Sequence, residues 1–544
     1  MSAVSDVADV NAADSADADS AGDVVGDFLR IARDEASGIA IVHNGVEITY
    51  QELAHRVRRT ARRYRARLLE PDDRAGFISV LVTHRPAVVE HILGVLAAGA
   101  CYCPIDAALP SARQRALADT VGARQVFSSE PMVKDDTAFG VEFIGDRPVA
   151  EDVGRPESWV PAGDPAYVFC TSGSTGAPKP VVVSRRALSA TVRELRRLFE
   201  LTADDRVLQF ASLAWDTCLE EIMPAITCGA TLVFDDAAHR GSFPAFVRML
   251  AEQRVTVVDL PTAFWHELVL YLHEQRTGHE QRTGHEQRTG HEERTGLPTG
   301  LRLVIIGGER VDETRLRQWR DLGLDDVRLL NTYGCTETTM ITHAVQLAGP
   351  GTEGEIAVPG AEAPIGRRLP HVVDRVGDDG ELLISGPALA DGYLGMPEVT
   401  ADSFPVEDHG SGRARWFHTG DIVSLGPDGM LYARGRADEQ LKVLGVRIHP
   451  AEVEMHLRTH PAIAGAVVVG ERRLERTSLI AYVVVVQDIT PADLKRYLRD
   501  RLPKQFVPSR VRFVPALSHT ASGKVDRAGT HRAATEQKAT EHVL

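Results

Sequence analysis

Apolar positions along this chain follow two alternating spacings. Tyr50-Gln-Glu-Leu-Ala-His-Arg-Val57 sets them three and four apart, the repeat of a helix buried on one face. Arg74-Ala-Gly-Phe-Ile-Ser-Val-Leu-Val82 is instead a nearly continuous apolar run, the pattern of a strand covered on both sides. Helical and strand signals of this kind alternate from Phe28 onward, which predicts an α/β fold with largely parallel sheets. Near Trp416-Phe-His-Thr-Gly-Asp421 the texture changes to short strands with turns. The last hundred or so residues carry an amphipathic helix over Pro450 to Leu457 and apolar strands over Ala466 to Val469 and Leu479 to Val486, the makings of a small α+β domain.

Two stretches lack either period. Residues 1–26, rich in Asp, Ala, Ser and Val, read as a disordered acidic leader. Between His273 and Gly296 run four near-identical hexads, His-Glu-Gln-Arg-Thr-Gly three times and His-Glu-Glu-Arg-Thr-Gly once. A six-residue polar unit has no face to bury, so a mobile surface loop is expected there. The expected organisation is a leader (1–26), a large domain (27–437) containing the repeats, and a small domain (438–544).

At 544 residues the chain exceeds what one compact core holds. Its net charge of −15 argues against nucleic acid and anionic membranes, which need a basic surface. No apolar run reaches the ~18 residues of a membrane helix, and no basic-then-apolar signal opens the chain, so a cytoplasmic location is expected. The six cysteines are scattered. Cys101-Tyr-Cys103 is spaced too closely for a zinc knuckle and no second pair follows, so they read as reduced core thiols.

The strand-like Tyr167-Val-Phe-Cys170 runs into Thr171-Ser-Gly-Ser-Thr-Gly-Ala-Pro-Lys179. Glycines at Gly173 and Gly176 bring backbone N–H groups close to an anion, Thr171, Ser172, Ser174 and Thr175 add hydroxyl donors, and Lys179 adds positive charge. The loop is therefore a phosphate holder. It is not the Walker loop, because Ala177-Pro178 separates the last glycine from the lysine.

Four further motifs follow in order: Asn331-Thr-Tyr-Gly-Cys-Thr-Glu-Thr-Thr339, Phe417-His-Thr-Gly-Asp421, Gly435-Arg-Ala-Asp-Glu-Gln-Leu-Lys442 and Ser522-Gly-Lys-Val-Asp-Arg527. With the phosphate loop, and with Ile48-Thr-Tyr-Gln-Glu-Leu53 and Leu96-Ala-Ala-Gly-Ala-Cys-Tyr-Cys-Pro-Ile-Asp106 ahead of it, the series resembles the adenylate-forming superfamily. Within that superfamily it most resembles the amino-acid adenylation domains of nonribosomal peptide synthetases, and the resemblance covers nearly everything from Ile48 to Arg527. It implies a large domain of mixed, largely parallel sheets flanked by helices plus a distorted barrel, with a small mobile α+β domain hinged at Asp438. It also implies ATP and Mg²⁺.

Roles carried over by resemblance are these. The Thr171 to Lys179 loop cradles the β- and γ-phosphates. Tyr333 stacks on adenine, with Asn331 near its polar edge and Gly308 beside it. Thr336 touches phosphate, Glu337 ligates the metal, Asp421 accepts from the ribose hydroxyls, and Arg436 lies near ribose and phosphates. Lys524 neutralises charge between the substrate carboxylate and the α-phosphate, and Lys442 with Gly445 lines the path of the second step. The family often has proline where this chain has Cys335.

Within Ala211-Ser-Leu-Ala-Trp-Asp-Thr-Cys-Leu-Glu220, Asp216 falls where amino-acid-activating members hold the substrate ammonium. The other carried-over pocket positions are Thr217, Glu220, Asp259, Ile305, Gly307, Thr332, Met340 and Ile341. Most are small or apolar, and Gly307 is expected to leave depth. A pocket carboxylate without a partner costs several kcal/mol, so Glu220 and Asp259 together predict a cationic substrate of lysine, β-lysine or ornithine type. The pattern resembles lysine and β-lysine activating domains.

The expected activity is that of a stand-alone adenylation enzyme, with a phosphopantetheine-bearing peptidyl carrier protein acting in trans; the need for an MbtH-like helper protein is left open. An acyl-CoA-type ligase using coenzyme A is the alternative within enzymes, and Asp216, Glu220 and Asp259 argue against it. A non-catalytic ATP-binding homologue is the alternative outside enzymes; Lys524, Glu337, Asp421 and the phosphate loop argue against it.

Overall fold

The computed structural model describes residues 23–68, 76–123, 125–128, 141–143, 165–172, 178–283, 296–352, 363–410, 412–437, 440–473, 476–518 and 525–541. Two large sheets build the first domain. At the centre of a nine-stranded sheet lie Thr231–Phe234, Arg206–Leu208, Val257–Pro261, Leu303–Gly307 and Arg328–Gly334, each parallel to the next. Their runs, Leu-Val-Ile-Ile-Gly among them, are apolar on both faces because helices cover both sides. The second sheet has seven strands, with Pro165–Thr171 between Cys101–Asp106 and Lys179–Ser184.

A four-stranded antiparallel sheet, Val373–Val376, Glu381–Ser385, Phe417–Leu425 and Leu431–Arg436, completes the large domain. Its alternating burial along Phe417–Leu425 puts one face against the core. The smaller C-terminal domain has its own core, in which Val453, Leu457, Val468, Ala481, Leu494 and Phe506 meet. Its sheet of Ile463–Arg473, Arg476–Val485 and Arg510–Phe513 backs onto the helix Pro450–Arg458. The two-domain α/β architecture expected from the sequence is present.

Two expectations change. The helix Val24–Asp34 begins inside the stretch assigned to the leader: Asp23 caps it by accepting from the Gly26 N–H, and Val24 and Val25 are buried. Residues 1–22 lie outside the described residues. Over the hexads the helix Thr262–Thr283 continues through the first repeat and into the second, where a loop was expected. Trp265, Leu268, Val269 and Leu272 anchor that helix in the core. His, Glu, Gln and Arg then extend it at little cost once a turn exists to build on. Residues 284–295 lie outside the described residues. The expected phosphate loop joins two antiparallel strands, with Thr171 paired to Lys179.

All six cysteines are free, with Cys101 and Cys103 buried. Among the described residues no helix is long and apolar enough to cross a membrane.

Candidate active site

Strand register builds one wall of the central cavity. Asp259 pairs with Ile305, and Pro261 with Gly307, which in turn pairs with Thr332. Side chains two apart on a strand share a face, as do partners in register. Asp259, Pro261, Gly307 and Thr332 all line a cavity of about 280 Å³, together with Asp216, Thr217, Glu220, Met340 and Ile341. Ile305, the register partner of Asp259 and two residues before Gly307, lies on the same face and is buried in the core there. The reason for Gly307 changes: a Cβ there would lie 2.6 Å from Thr332 Oγ1, so the hydroxyl of the next strand fills the space the missing side chain leaves. Met340 sits at φ +70° beside Thr339 at +57°, two side-chain-bearing residues in left-handed conformation at the rim.

The opposite wall is the start of the helix Thr217–Ile226, buried from Cys218 onward. Asp216 occupies its N-cap position and Glu220 its first turn, four residues on and on the same side. Asp216 Oδ1 accepts from the Thr336 hydroxyl at 2.9 Å, while Oδ2 is buried without a hydrogen-bond partner. Burial, with Glu337 adding, pushes the Asp216 carboxyl up to about 7 against the Thr336 bond. Glu220 is raised by burial first and then by Asp259, Asp216 and Glu221, all acids. Burial raises Asp259 as well. Glu221, by contrast, points to structure: it accepts from the N–H groups of Phe210 and Ala211 and from the Gln209 amide.

The expected nucleotide residues form a second, contiguous group. Tyr333 donates its hydroxyl to Asp421 Oδ2 at 2.6 Å, and Arg436 Nη1 donates to Oδ1 at 2.5 Å. Burial would raise Asp421, but Lys442, Arg447 and Arg436 outweigh it and hold the carboxyl below its usual range. Asn331 donates to the Pro364 carbonyl at 2.7 Å and keeps a buried Oδ1 without a partner. Glu337 Oε1 accepts from Tyr393 at 3.2 Å and Thr171 at 3.4 Å. Its Oε2 is buried with no hydrogen-bond donor, which suits a hard cation that also takes phosphate oxygens. Lys179 begins its strand with Nζ 5.2 Å from the Tyr393 ring centre.

From the small domain, the strands Leu441–Val443 and Val446–Ile448 push a hairpin into this space. Lys442 Nζ lies 5.2 Å from the Tyr333 ring centre. Gly445 N–H donates to Glu309, and the Ser172 hydroxyl donates to the Arg447 carbonyl at 2.8 Å. Gly308 permits the approach, since a Cβ there would be 3.0 Å from Gly445 Cα. Away from the hairpin, Arg113 and Glu452 make a 2.6 Å ion pair across the domains, 6% and 0% exposed, and Trp215 packs on the small domain's core.

The structure thus brings Asp216, Thr217, Glu220, Asp259, Gly307, Gly308, Thr332, Thr336, Glu337, Met340, Ile341 and Lys442 to one cavity with Thr171 and Ser172. Asn331, Tyr333, Asp421 and Arg436 adjoin it. Gly173, Ser174, Thr175, Gly176, Asp438 and Lys524 lie outside the described residues. Arg447 and Trp215 were missed. The only sequence signals were their positions, two residues beyond Gly445 and one before Asp216.

The AMP-binding enzyme family matches residues 28–394, and the C-terminal domain of AMP-binding enzymes matches residues 452–524. The isonitrile lipopeptide synthase of Streptomyces coeruleorubidus is 37% identical over 514 residues, 93% of this chain and 33% of that protein. A dimodular nonribosomal peptide synthase of Bacillus subtilis is 31% identical over 519 residues, 90% of this chain and 21% of that protein. The chain spans a third or less of the length of these relatives. Among solved structures, holo-PA1221, described as a nonribosomal peptide synthetase protein containing adenylation and peptidyl carrier domains, superimposes with a TM-score of 0.77 at 22% identity, covering 94% of this chain and 84% of that one. An artificially fused adenylation and carrier di-domain from Klebsiella oxytoca gives 0.73 at 22%, covering 90% and 93%. These likenesses show the fold.

Proposed function

This chain belongs to the AMP-binding enzyme family, with the adenylate-forming fold, and from that premise we propose that it activates a basic amino acid of lysine, β-lysine or ornithine type for nonribosomal peptide assembly. The substrate carboxylate attacks the α-phosphorus of ATP, the bond to pyrophosphate breaks, and an aminoacyl adenylate forms. A phosphopantetheine thiol of a carrier protein then displaces AMP to give the thioester.

The reading of substrate rests on one observation above all. Glu220, buried, and Asp259, half-buried with its Oδ2 enclosed, both line the cavity, and after burial itself the groups acting on Glu220 are other acids. Among the described residues neither has an ion pair with arginine or lysine. A buried acidic pair of this kind is costly unless a cation enters, and an ammonium on the substrate side chain is that cation. Asp216 then takes the substrate's amino group, with Thr336 holding its other oxygen.

In the nucleotide half, Tyr333 and Asn331 receive adenine, and Asp421 receives the ribose hydroxyls when Tyr333 and Arg436 yield. Lys524 brings positive charge between the two anionic reactants, whose mutual repulsion is the barrier to attack. Glu337 would hold Mg²⁺, which when bound would add to the neutralisation of the phosphates. Lys442 and the hairpin around it belong to the thiol step.

ATP–pyrophosphate exchange across a panel of amino acids tests the proposal. Exchange is expected with lysine, β-lysine or ornithine and not with leucine, phenylalanine or glutamate. Exchange with leucine or phenylalanine alone would remove the argument from Glu220 and Asp259. Silence with every amino acid would remove the activity itself.

A further inference from the structure

Glu337 has two claimants. With the hairpin docked, the Arg447 guanidinium reaches Glu337 Oε2 at 3.5 Å and Asp421 Oδ2 at 4.0 Å, and donates to the Thr419 carbonyl at 3.0 Å. The side chain is 16% exposed, and its Nε is buried without a partner. Burial opposes its charge, and Glu337 contributes most to offsetting that cost. Its position does not depend on Glu337 alone, because the hairpin is held by Ser172 at the Arg447 carbonyl and by Glu309 at the Gly445 N–H.

A divalent cation bound to the same carboxylate oxygen would face a full positive charge 3.5 Å from that oxygen, between largely buried side chains where repulsion is screened little. The geometry points to Arg447 as an internal competitor of the divalent cation at Glu337, so that docking of the small domain through its 441–448 hairpin and metal binding at Glu337 exclude one another. The inference rests on the assignment of Glu337 made above. It divides the two half-reactions by the cation they use. While the metal is present with the triphosphate, Arg447 is repelled and the hairpin stays out. Once pyrophosphate and the metal leave, Arg447 covers Glu337 Oε2, which has no hydrogen-bond donor, and leaves a positive group beside the adenylate phosphate for the thiol step. Linkage makes the effect reciprocal: whatever the docked hairpin takes from metal affinity, the metal takes from docking.

The test uses the full chain with α,β-methylene ATP, which cannot react, and compares its affinity with Mn²⁺ and with EDTA. Free Mn²⁺ is read by electron paramagnetic resonance. Arg447→Met is expected to tighten the Mn²⁺ complex about tenfold, within the usual range of coupling between sites, and to leave the EDTA affinity within twofold of wild type. Arg447→Gln guards against a packing effect of methionine and should behave alike. In a Glu337→Gln background, Arg447→Met should give no gain. As a second readout, acrylamide quenching assigned by difference from Trp215→Phe reports docking, since Trp215 packs on the small domain's core. Mn²⁺ should raise Trp215 accessibility in wild type and leave it unchanged in Arg447→Met. Equal tightening with and without Mn²⁺ would overturn the competition and indicate a clash with nucleotide. A Mn²⁺ affinity that Glu337→Gln does not weaken would overturn it at its premise, placing the metal elsewhere.

Discussion

Asp216→Asn separates the cost of holding an acid in the empty pocket from its use. Asparagine keeps the shape and the oxygen that accepts from Thr336, and replaces Oδ2, which has no partner. In the folded protein the Asp216 carboxyl lies at about 7 against an ordinary 3.8. At about 1.4 kcal/mol per pH unit, the ionised form is disfavoured by ~4 kcal/mol. The sign follows from proton counting: between the two values the folded chain binds the proton and the unfolded chain does not, so wild-type stability falls as pH rises from about 4 to about 7 and then levels off. The variant lacks this loss. Its stability relative to wild type should therefore rise by roughly 2 kcal/mol between pH 5 and pH 7 and change little from pH 7.5 to 8.5. A pH-independent offset of about 1–3 kcal/mol from the unpartnered amide N–H₂ can lie under this slope, so the slope and not the absolute difference is diagnostic. Urea unfolding at pH 5, 6, 7 and 8, followed by tryptophan emission without ligand, measures it. Amino-acid-dependent pyrophosphate exchange should fall at least 100-fold in the same variant, the scale of a lost charge-assisted contact. A stability difference that does not vary with pH, or that shrinks as pH rises, would refute the buried-acid account of Asp216.

The remaining predictions concern the pocket foot and the domain contact. Glu220→Gln combined with Asp259→Asn should lower kcat/KM for the basic amino acid at least 100-fold while leaving the Kd for ATP within twofold; equal loss for both ligands would indicate misfolding. Because Asp216 sits at about 7, KM for the basic amino acid should fall in wild type as pH rises from 6 to 8, with protons released on binding by calorimetry in two buffers. Arg113→Met leaves Glu452 buried without its partner, a cost of about 3–5 kcal/mol borne by the docked arrangement. Thioester formation should drop while exchange persists, and Arg113→Met with Glu452→Gln should recover part of it. Gly308→Ala adds a Cβ 3.0 Å from Gly445 Cα at a residue with φ +86°, so single-turnover transfer to a carrier thiol should slow at least tenfold with exchange less affected.

Much of this site is legible through the resemblance its motifs carry. Asp216, Glu220 and Asp259 were placed by that resemblance, and Glu220 and Asp259 then stood out as acids among small and apolar pocket positions. What strand pairing decides could not be read. Gly307 is glycine because of a hydroxyl on the next strand, and Asp259 and Ile305 share a face only because their strands pair in register. Both facts are long-range, and neither leaves a trace in the local sequence. The bond from Thr336 to Asp216 spans 120 positions and joins two motifs that looked independent. The hexads misled for a different reason: polar composition argued against a buried face, but the preceding apolar turns carry the helix into them. Arg447 passed unnoticed because one arginine in an arginine-rich chain carries no signal until something buried faces it.

The register of the strands holding Asp259, Gly307 and Thr332 has a consequence for change over time. Gly307 and Thr332 read into the cavity from rungs paired on both sides, and Asp259 from a rung paired with Ile305, so the scaffold does not depend on the chemistry each rung displays. A lineage can rewrite the acid at Asp259 with one codon and leave the sheet, the hairpin contact and the nucleotide cluster untouched, whereas Gly307 and Thr332 are coupled and must move together. Within one wall, some letters are free to vary and others are spelled in pairs.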